Sequence, residues 1–283
     1  MNGSFNEDGD YAIPGVKGTG SEVKVAFVDP AGSMTGTLFP TGRRSDIIRV
    51  QEKDASFHVS ATLIDAANPF VLVDKTTLPD FLKVETGKET PDYLQHMESI
   101  RRVGAVMMGL APSIEAAAKV RATPKLAILS TPSPQPRIDS TGDAEKTPDI
   151  HVQAFSMGKP HPSLQLTGAA CLASAVCING TIAHTLASSR TKESPEDVES
   201  PWDSPERTPS PSNSDSLSAS AASLTASPKT VRLSHSAGSI DVDVLATCSE
   251  GFAFVERCVV SRTARRLFEG KVYYYENRTS TDI

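Results

Sequence analysis

Hydrophobic positions along the chain follow two periods. Short apolar runs bounded by turn residues are typical of β-strands. The sequence predicts such strands at 23–28, 56–64, 70–73, 125–130, 150–155, 231–233, 240–245, 252–260 and 271–275.

Two stretches have a helical pattern instead. Apolar side chains recur at spacings of three and four residues over 91–110, where Pro91 suits a first helical turn and Gly109 an end. Residues 167–178 form a shorter apolar segment that Thr167 and Gly168 open. Many strands with few helices predict an α+β fold.

One segment differs in composition from the rest. Residues 190–228 contain 11 serines and six prolines in 39 residues, with few large apolar side chains. Such a stretch cannot bury enough surface to offset its ordering entropy, so we expect a disordered insertion. Its six Ser/Thr-Pro pairs are either kinase targets or part of a neutral loop insertion.

Charge and cysteine content exclude several classes of protein. The net charge of -6 disfavours a nucleic-acid binder, and no apolar run approaches the length of a membrane span. The polar, acidic start resembles no signal peptide, so a cytoplasmic location is expected. Four scattered cysteines form no CxxC pair, and no histidine pair has zinc-ligand spacing. We therefore expect no metal, with Cys171 and Cys177 read as buried thiols rather than reactive groups.

The stretch most informative about chemistry joins a predicted strand to the apolar helix. Phe155 ends the strand, and a polar, basic loop with Lys159 and His161 follows before Thr167 and Gly168. The free N–H groups of a first helical turn bind anions, and small side chains allow close approach. This pattern favours a carboxylate or phosphate site. The alternative is an ordinary capped core helix after a surface loop.

Two further polar turns carry candidate side chains. His235 lies in a turn between predicted strands, and Arg262 follows the last long one. The guanidinium of Arg262 is suited to a bidentate pair with a carboxylate. The alternative for both is a solvated turn.

Several of these segments together resemble the PrpF-type isomerases, which include aconitate and methylitaconate isomerases and 4-oxalomesaconate tautomerases. The blocks occur in order over nearly the whole chain outside 190–228. They are Gly15-Val16-Lys17-Gly18-Thr19-Gly20, Phe27 to Gly36, Asp65-Ala66-Ala67-Asn68-Pro69, Ser156-Met157-Gly158-Lys159 with His161 and Thr167-Gly168, and Ser261-Arg262-Thr263-Ala264-Arg265.

The resemblance implies a fold similar to diaminopimelate epimerase, in which two related halves each wrap a curved sheet around a central helix. The helix from 167 would be such a central helix, with the ligand in the cleft between the halves. The implied reaction moves a proton and a double bond in an unsaturated di- or tricarboxylic acid without any cofactor. The implied substrate-binding residues are Asn68, Ser156, Met157, Gly158, Thr167, Gly168, His235 and Arg262. Lys159 and His161 are the candidate proton carriers.

The chain also departs from the family pattern. The family's Arg-Gly-Gly-Thr-Ser-Lys-Gly-like and Asn-Cys-Gly-Asn-like motifs, which supply its lysine and cysteine, do not occur here. We therefore expect 1–55 to be a remnant of a first half and 56–283 to be the second half. The alternatives to an active isomerase are a catalytically impaired remnant and a carboxylate-binding module. The sequence does not fix the substrate or the oligomeric state.

Overall fold

The computed structural model describes residues 8–52, 56–83, 89–132, 146–191, 227–249, 251–265, 270–271 and 273. Four α-helices lie within these ranges: α1 (Pro91–Met107), α2 (Ile114–Lys119), α3 (Leu166–Cys177) and α4 (Ile182–Thr191). The strands there are β1 (Tyr11–Ala12), β2 (Thr19–Gly20), β3 (Glu22–Val28), β4 (Asp46–Gln51), β5 (Ser56–Asp65), β6 (Pro69–Asp74), β7 (Lys125–Ser130), β8 (Ile150–Ser156), β9 (Lys159–His161), β10 (Ser227–His235), β11 (Gly238–Ser249) and β12 (Phe252–Thr263).

Ten of the described strands form one mixed sheet. Its order is β3-β12-β11-β10-β8-β7-β6-β5-β4, and β9 pairs with β8 beside this path. The pairs β8/β10 and β6/β7 are parallel, and the other pairs are antiparallel. A large mixed sheet with few helices confirms the predicted α+β class.

The sheet wraps around α3. This helix is apolar on nearly all sides, and the nine consecutive residues 168–176 are buried. A helix with no polar face is stable only inside a core. Inward-facing side chains of the strands, including Leu72, Val152, Val242 and Val260, pack with α3 into one cluster. The predicted central helix is confirmed.

The other face of the sheet is covered by α1. Thr90 caps this helix by accepting a hydrogen bond from the N–H of Tyr93, and Pro91 occupies its first turn. Within β6, Phe70 and Leu72 point to α3, whereas Val71 and Val73 point to α1. Burial on both faces explains why this strand reads as an unbroken apolar run.

The loop after β3 ties two distant parts of the sheet together. The carboxylate of Asp65, at the end of β5, accepts hydrogen bonds from the N–H groups of Met34 and Thr35 at 2.8 Å each, and from the Ser33 hydroxyl at 2.5 Å. The N–H of Gly32 donates to the Asp65 carbonyl at 2.8 Å. A buried carboxylate with this many donors is a structural anchor.

Most predicted elements are present within a few residues of their expected bounds. The helix predicted over 91–110 ends at Met107, and Gly109 adopts a φ of 72° just beyond it. Two elements, β4 and α4, were not predicted from the sequence, although Asp46, Ile48 and Val50 alternate as buried positions in β4. The strand predicted at 271–275 lies mostly outside the described residues, and 271 and 273 belong to no strand.

The bounds of the Ser/Pro-rich segment differ from the prediction. Arg190 and Thr191 belong to α4, while Ser227 and Pro228 belong to β10, where Pro228 pairs with Leu245. Residues 192–226 lie outside the described part of the chain, so the disorder and kinase targeting expected there remain predictions.

The proposed division at residue 55 also remains a prediction. Strands on both sides of that boundary share the sheet, since β3 pairs with β12 and β4 pairs with β5.

All four cysteines are free thiols. Cys171 is fully buried, and burial raises the pKa of its thiol, so it is an inert core residue as expected. In the described ranges, no single helix is long and apolar enough to cross a membrane. Taken together, α3 and α4 have the length and composition of a membrane span, but the pair is bent by 66° between the two helices.

Candidate functional site

The N-terminal end of α3 lacks a side-chain cap. Gln165 occupies the N-cap position without a side-chain hydrogen bond, and the first intrahelical bond runs from Ala169 N–H to the Gln165 carbonyl at 2.8 Å. The N–H groups of Leu166, Thr167 and Gly168 therefore have no acceptor within the helix. Because they lie at the positive end of the helix dipole, they form a potential anion-binding surface.

Gly168 is at this end for packing reasons as well. It is buried, and a Cβ atom at this position would lie 2.9 Å from Cζ of Phe70. Asn68 is half-buried in the turn between β5 and β6, two residues before Phe70. The turn that carries Asn68 therefore lies at the same end of α3.

Ser156, the last residue of β8, lies close to Gln165, which precedes α3. Its hydroxyl lies 3.4 Å from Nε2 of Gln165 and 3.4 Å from Nζ of Lys125. Lys125 begins β7, and in the sheet it pairs with Phe70. Burial lowers the pKa of the Lys125 ammonium. A second basic group with a perturbed pKa thus lies beside the predicted site.

Sequence reasoning assigned no role to Lys125. The signal was available in the alternation of β7, because Ala127 and Leu129 face α3 and Lys125 shares their side of the strand. A lysine in register with core residues is unusual, which marks it as a candidate for chemistry.

The predicted loop after β8 is a tight hairpin. Met157 and Gly158 form its turn with φ values of 54° and 75°, and Ser156 pairs with Lys159 across it. The loop assignment is therefore wrong at 159–161, which form β9. Met157 is exposed and lines a small pocket together with Met97 of α1 and with Lys125. The φ of Gly158 favours glycine, and a Cβ there would also displace the flexible guanidinium of Arg121.

The two predicted proton carriers occupy different settings. Lys159 is exposed at the rim of the hairpin. His161 is half-buried, and its Nδ1 lies 2.5 Å from the Ser163 carbonyl oxygen. The Ser163 N–H lies 3.3 Å from the same Nδ1, so both backbone groups of Ser163 hold this edge of the ring and Nε2 is the ring nitrogen that they leave open.

The side chain of His235 contacts the backbone of the turn between β10 and β11. Its side chain is buried, and its Nδ1 accepts a hydrogen bond from the N–H of Ala237 at 3.2 Å. The same N–H donates to the Pro162 carbonyl at 3.0 Å. The β10–β11 turn is therefore hydrogen-bonded to the loop that leads into α3.

Arg262 reaches the same loop from β12. Its Nη2 donates to the Leu164 carbonyl at 3.4 Å, and its Nη1 donates to the Ser261 carbonyl at 3.1 Å. Burial lowers the pKa of the guanidinium, while nearby Tyr11 raises it. The structure thus places Arg262 beside the loop that leads into α3, and its role in binding substrate stays a prediction.

Comparisons with known proteins show the family of this chain. The family model described as PrpF protein matches residues 1–197. The chain belongs to the PrpF protein family.

Individual relatives match over nearly the whole chain. The protein YraM of Bacillus subtilis (strain 168) is 31% identical over 274 residues, which are 96% of this chain and 60% of the relative. A 2-methyl-aconitate isomerase of Shewanella oneidensis (strain ATCC 700550 / JCM 31522 / CIP 106686 / LMG 19005 / NCIMB 14063 / MR-1) is 28% identical, covering 95% of this chain and 59% of the relative.

The crystal structure of a methylitaconate-delta-isomerase superposes with a TM-score of 0.64 at 27% identity. It covers 96% of this chain, and this chain covers 60% of it. The chain therefore spans about 60% of the length of the curated relatives that it matches.

Proposed function

We propose that the chain is an isomerase that moves a proton and a double bond within an unsaturated di- or tricarboxylic acid. Family membership and two relatives named as isomerases of methylaconitate and methylitaconate support the proposal. The observation that carries it is the uncapped start of α3, which meets Lys125, Ser156 and Arg262.

The reaction requires stabilisation of a carbanion. A base removes an allylic proton, the electrons spread into the adjacent carboxylate as a dienolate, and an acid returns a proton at the other end of the three-carbon unit. In the proposal, the N–H groups of Thr167 and Gly168 and the guanidinium of Arg262 bind carboxylate oxygens where this charge develops. Because electrons and protons balance within the substrate, no redox cofactor takes part.

Three groups at this end are suited to carry the proton. The lowered pKa of Lys125 gives it a larger neutral fraction at a given pH than an exposed lysine has, and a neutral amine is a base. His161 offers Nε2, the ring nitrogen that the Ser163 backbone does not contact. Lys159, predicted from the sequence, lies farther out on the rim. We assign the base to Lys125 and the second proton transfer to His161.

The test follows exchange of the allylic protons of aconitate with deuterated water by NMR. We expect exchange by the wild-type chain, and a rate about 100- to 10,000-fold lower for Lys125→Ala, as for a positioned acid–base group. Lys119→Ala, at the end of α2, is the matched control with an unchanged rate.

Absence of wild-type exchange at saturating aconitate contradicts the isomerase proposal. If aconitate nevertheless binds, the carboxylate-binding module is the better description. Equal rates for Lys125→Ala and the wild type would reject Lys125 as the base. A cytoplasmic location belongs to the same proposal and is tested by cell fractionation.

A further inference from the structure

A cavity of about 250 Å³ lies beside the start of α3, on the other side of Arg262. It is open to solvent on one side and is bordered by residues 11–14, around β1, and by residues of β10, β11 and β12. Its polar lining comes from Tyr11, Arg232, Ser239, Asp241 and Arg262. This volume suits part of a small organic acid rather than a nucleotide or a peptide.

Ser239 supplies the first sign of a ligand. Its Oγ is buried and has no hydrogen-bond partner among the described residues. Buried hydroxyls in folded proteins are nearly always paired, so an orphan that lines a cavity indicates a group that enters from outside the chain.

Arg262 supplies the second sign of a ligand. Its described hydrogen bonds go only to neutral backbone carbonyls, those of Ser261 and Leu164. A half-buried guanidinium without a carboxylate partner is costly, and it retains further N–H donors.

The other charges of the cavity are balanced. Arg232 binds Asp241 in a bidentate pair, with Nε–Oδ1 and Nη2–Oδ2 distances of 2.7 and 2.6 Å. The described lining therefore holds one uncompensated positive charge, which belongs to Arg262. A ligand carboxylate at this point therefore meets a guanidinium that no carboxylate of the described lining pairs with.

We propose that this cavity is a subsite for the carboxylate of the substrate that is remote from the reacting carbons, bound by the Arg262 guanidinium and the hydroxyls of Ser239 and Tyr11. The inference rests on the proposed function, because Arg262 then lies between this carboxylate and the one at the start of α3. The subsite selects di- and tricarboxylates over monocarboxylates.

The test is calorimetric binding of aconitate, a tricarboxylate, and crotonate, a monocarboxylate with the same allylic unit. We expect the wild-type chain to bind aconitate at least 10-fold more tightly. Ser239→Ala and Tyr11→Phe should each weaken aconitate 3- to 10-fold and leave crotonate unchanged. Ser239→Asp should weaken aconitate at least 10-fold, because the new carboxylate occupies Arg262. Ser236→Ala, on the exposed turn between β10 and β11, is the matched control and should bind both acids as the wild type does.

Two results distinguish this inference from the proposed function. If the Ser239 and Tyr11 variants bind aconitate normally while Lys125→Ala loses proton exchange, the subsite is wrong and the isomerase stands. If these variants weaken binding although the wild type exchanges no proton, the subsite stands and the isomerase is wrong. Equal affinity for the two acids, or no binding of aconitate, overturns the subsite. Thermal melting of each variant confirms folding, and Tyr11→Phe decides alone if Ser239→Ala fails to fold.

Discussion

The two ends of α3 satisfy their backbone groups in different ways. At the C-terminal end, the buried hydroxyl of Thr181 donates to the carbonyls of Ala175 and Ile178 at 2.6 and 3.0 Å. Arg44 donates to the carbonyl of Asn179 just beyond the helix, and also to those of Ser249 and Phe252. Side chains therefore close this end from several elements.

The N-terminal end has unpaired backbone groups too, and among the described residues no side chain caps them. Its free N–H groups face polar side chains that come from β7, β8 and β12. A protein built only for stability gains from a cap at such a position. In the function proposed above the N-terminal end receives the substrate, whereas the C-terminal end holds the fold together.

The largest loss of stability should come from a change in the middle of α3, between its two ends. Leu172 is fully buried in the middle of α3. Leu172→Ala should lower the free energy of unfolding by about 2 to 5 kcal/mol through lost burial and a new cavity. Urea denaturation measures the loss. The exposed Val120→Ala should change it by less than about 0.5 kcal/mol; similar losses in both variants would contradict the central position of α3.

A methyl group added at the N-terminal end of α3 should lower the free energy of unfolding by less than Leu172→Ala does. Gly168→Ala should lower the free energy of unfolding by about 1 to 3 kcal/mol, because the new Cβ meets the ring of Phe70. In a double-mutant cycle with Phe70→Leu, the two losses should couple by at least about 0.5 kcal/mol. Additive losses would show that the ring does not limit this position.

Two arginine variants separate the roles of the two ends. Arg44→Met should lower the free energy of unfolding by about 1 kcal/mol, since its hydrogen bonds to carbonyls are partly exposed to solvent. It should leave aconitate affinity unchanged. Arg262→Met should do the reverse, with weakened binding and little loss of stability. Thermal melts and calorimetry check both, and a loss of binding in Arg44→Met would contradict the comparison.

The smallest effect concerns pH at the C-terminal end. Burial, and then the charge of Lys229, lowers the pKa of His184. The folded state thus disfavours the protonated ring, so stability should fall as the pH drops below the unfolded value of about 6.5. His184→Gln should remove about 0.5 kcal/mol or less of this dependence, because the ring is partly exposed. Denaturation at pH 7 and pH 5 measures it. His58→Gln, on an exposed position of β5, should keep the wild-type dependence.

The sequence predicted the parts of this comparison that follow from local pattern. An apolar helix opened by Thr167 and Gly168 had to be buried, and its free N–H groups follow from helix geometry. The roles of Lys125 and Met157 depend instead on which face of a strand or hairpin each residue occupies. That choice is made by sheet register, which a single short strand does not encode. β4 was not predicted for a related reason, since six residues with two charged residues among them give a weak signal.

The pairing of β3 with β12 has a consequence for the order of events during synthesis. Val28 lies opposite Arg257, so more than 200 residues separate these partners along the chain. At about 5 to 20 residues per second, roughly 10 to 45 s pass between the synthesis of the two strands. Contacts this distant along the chain also slow folding once synthesis ends. During this interval β3 has been synthesised but its partner β12 has not. The nascent chain should therefore depend on chaperones until β12 emerges from the ribosome.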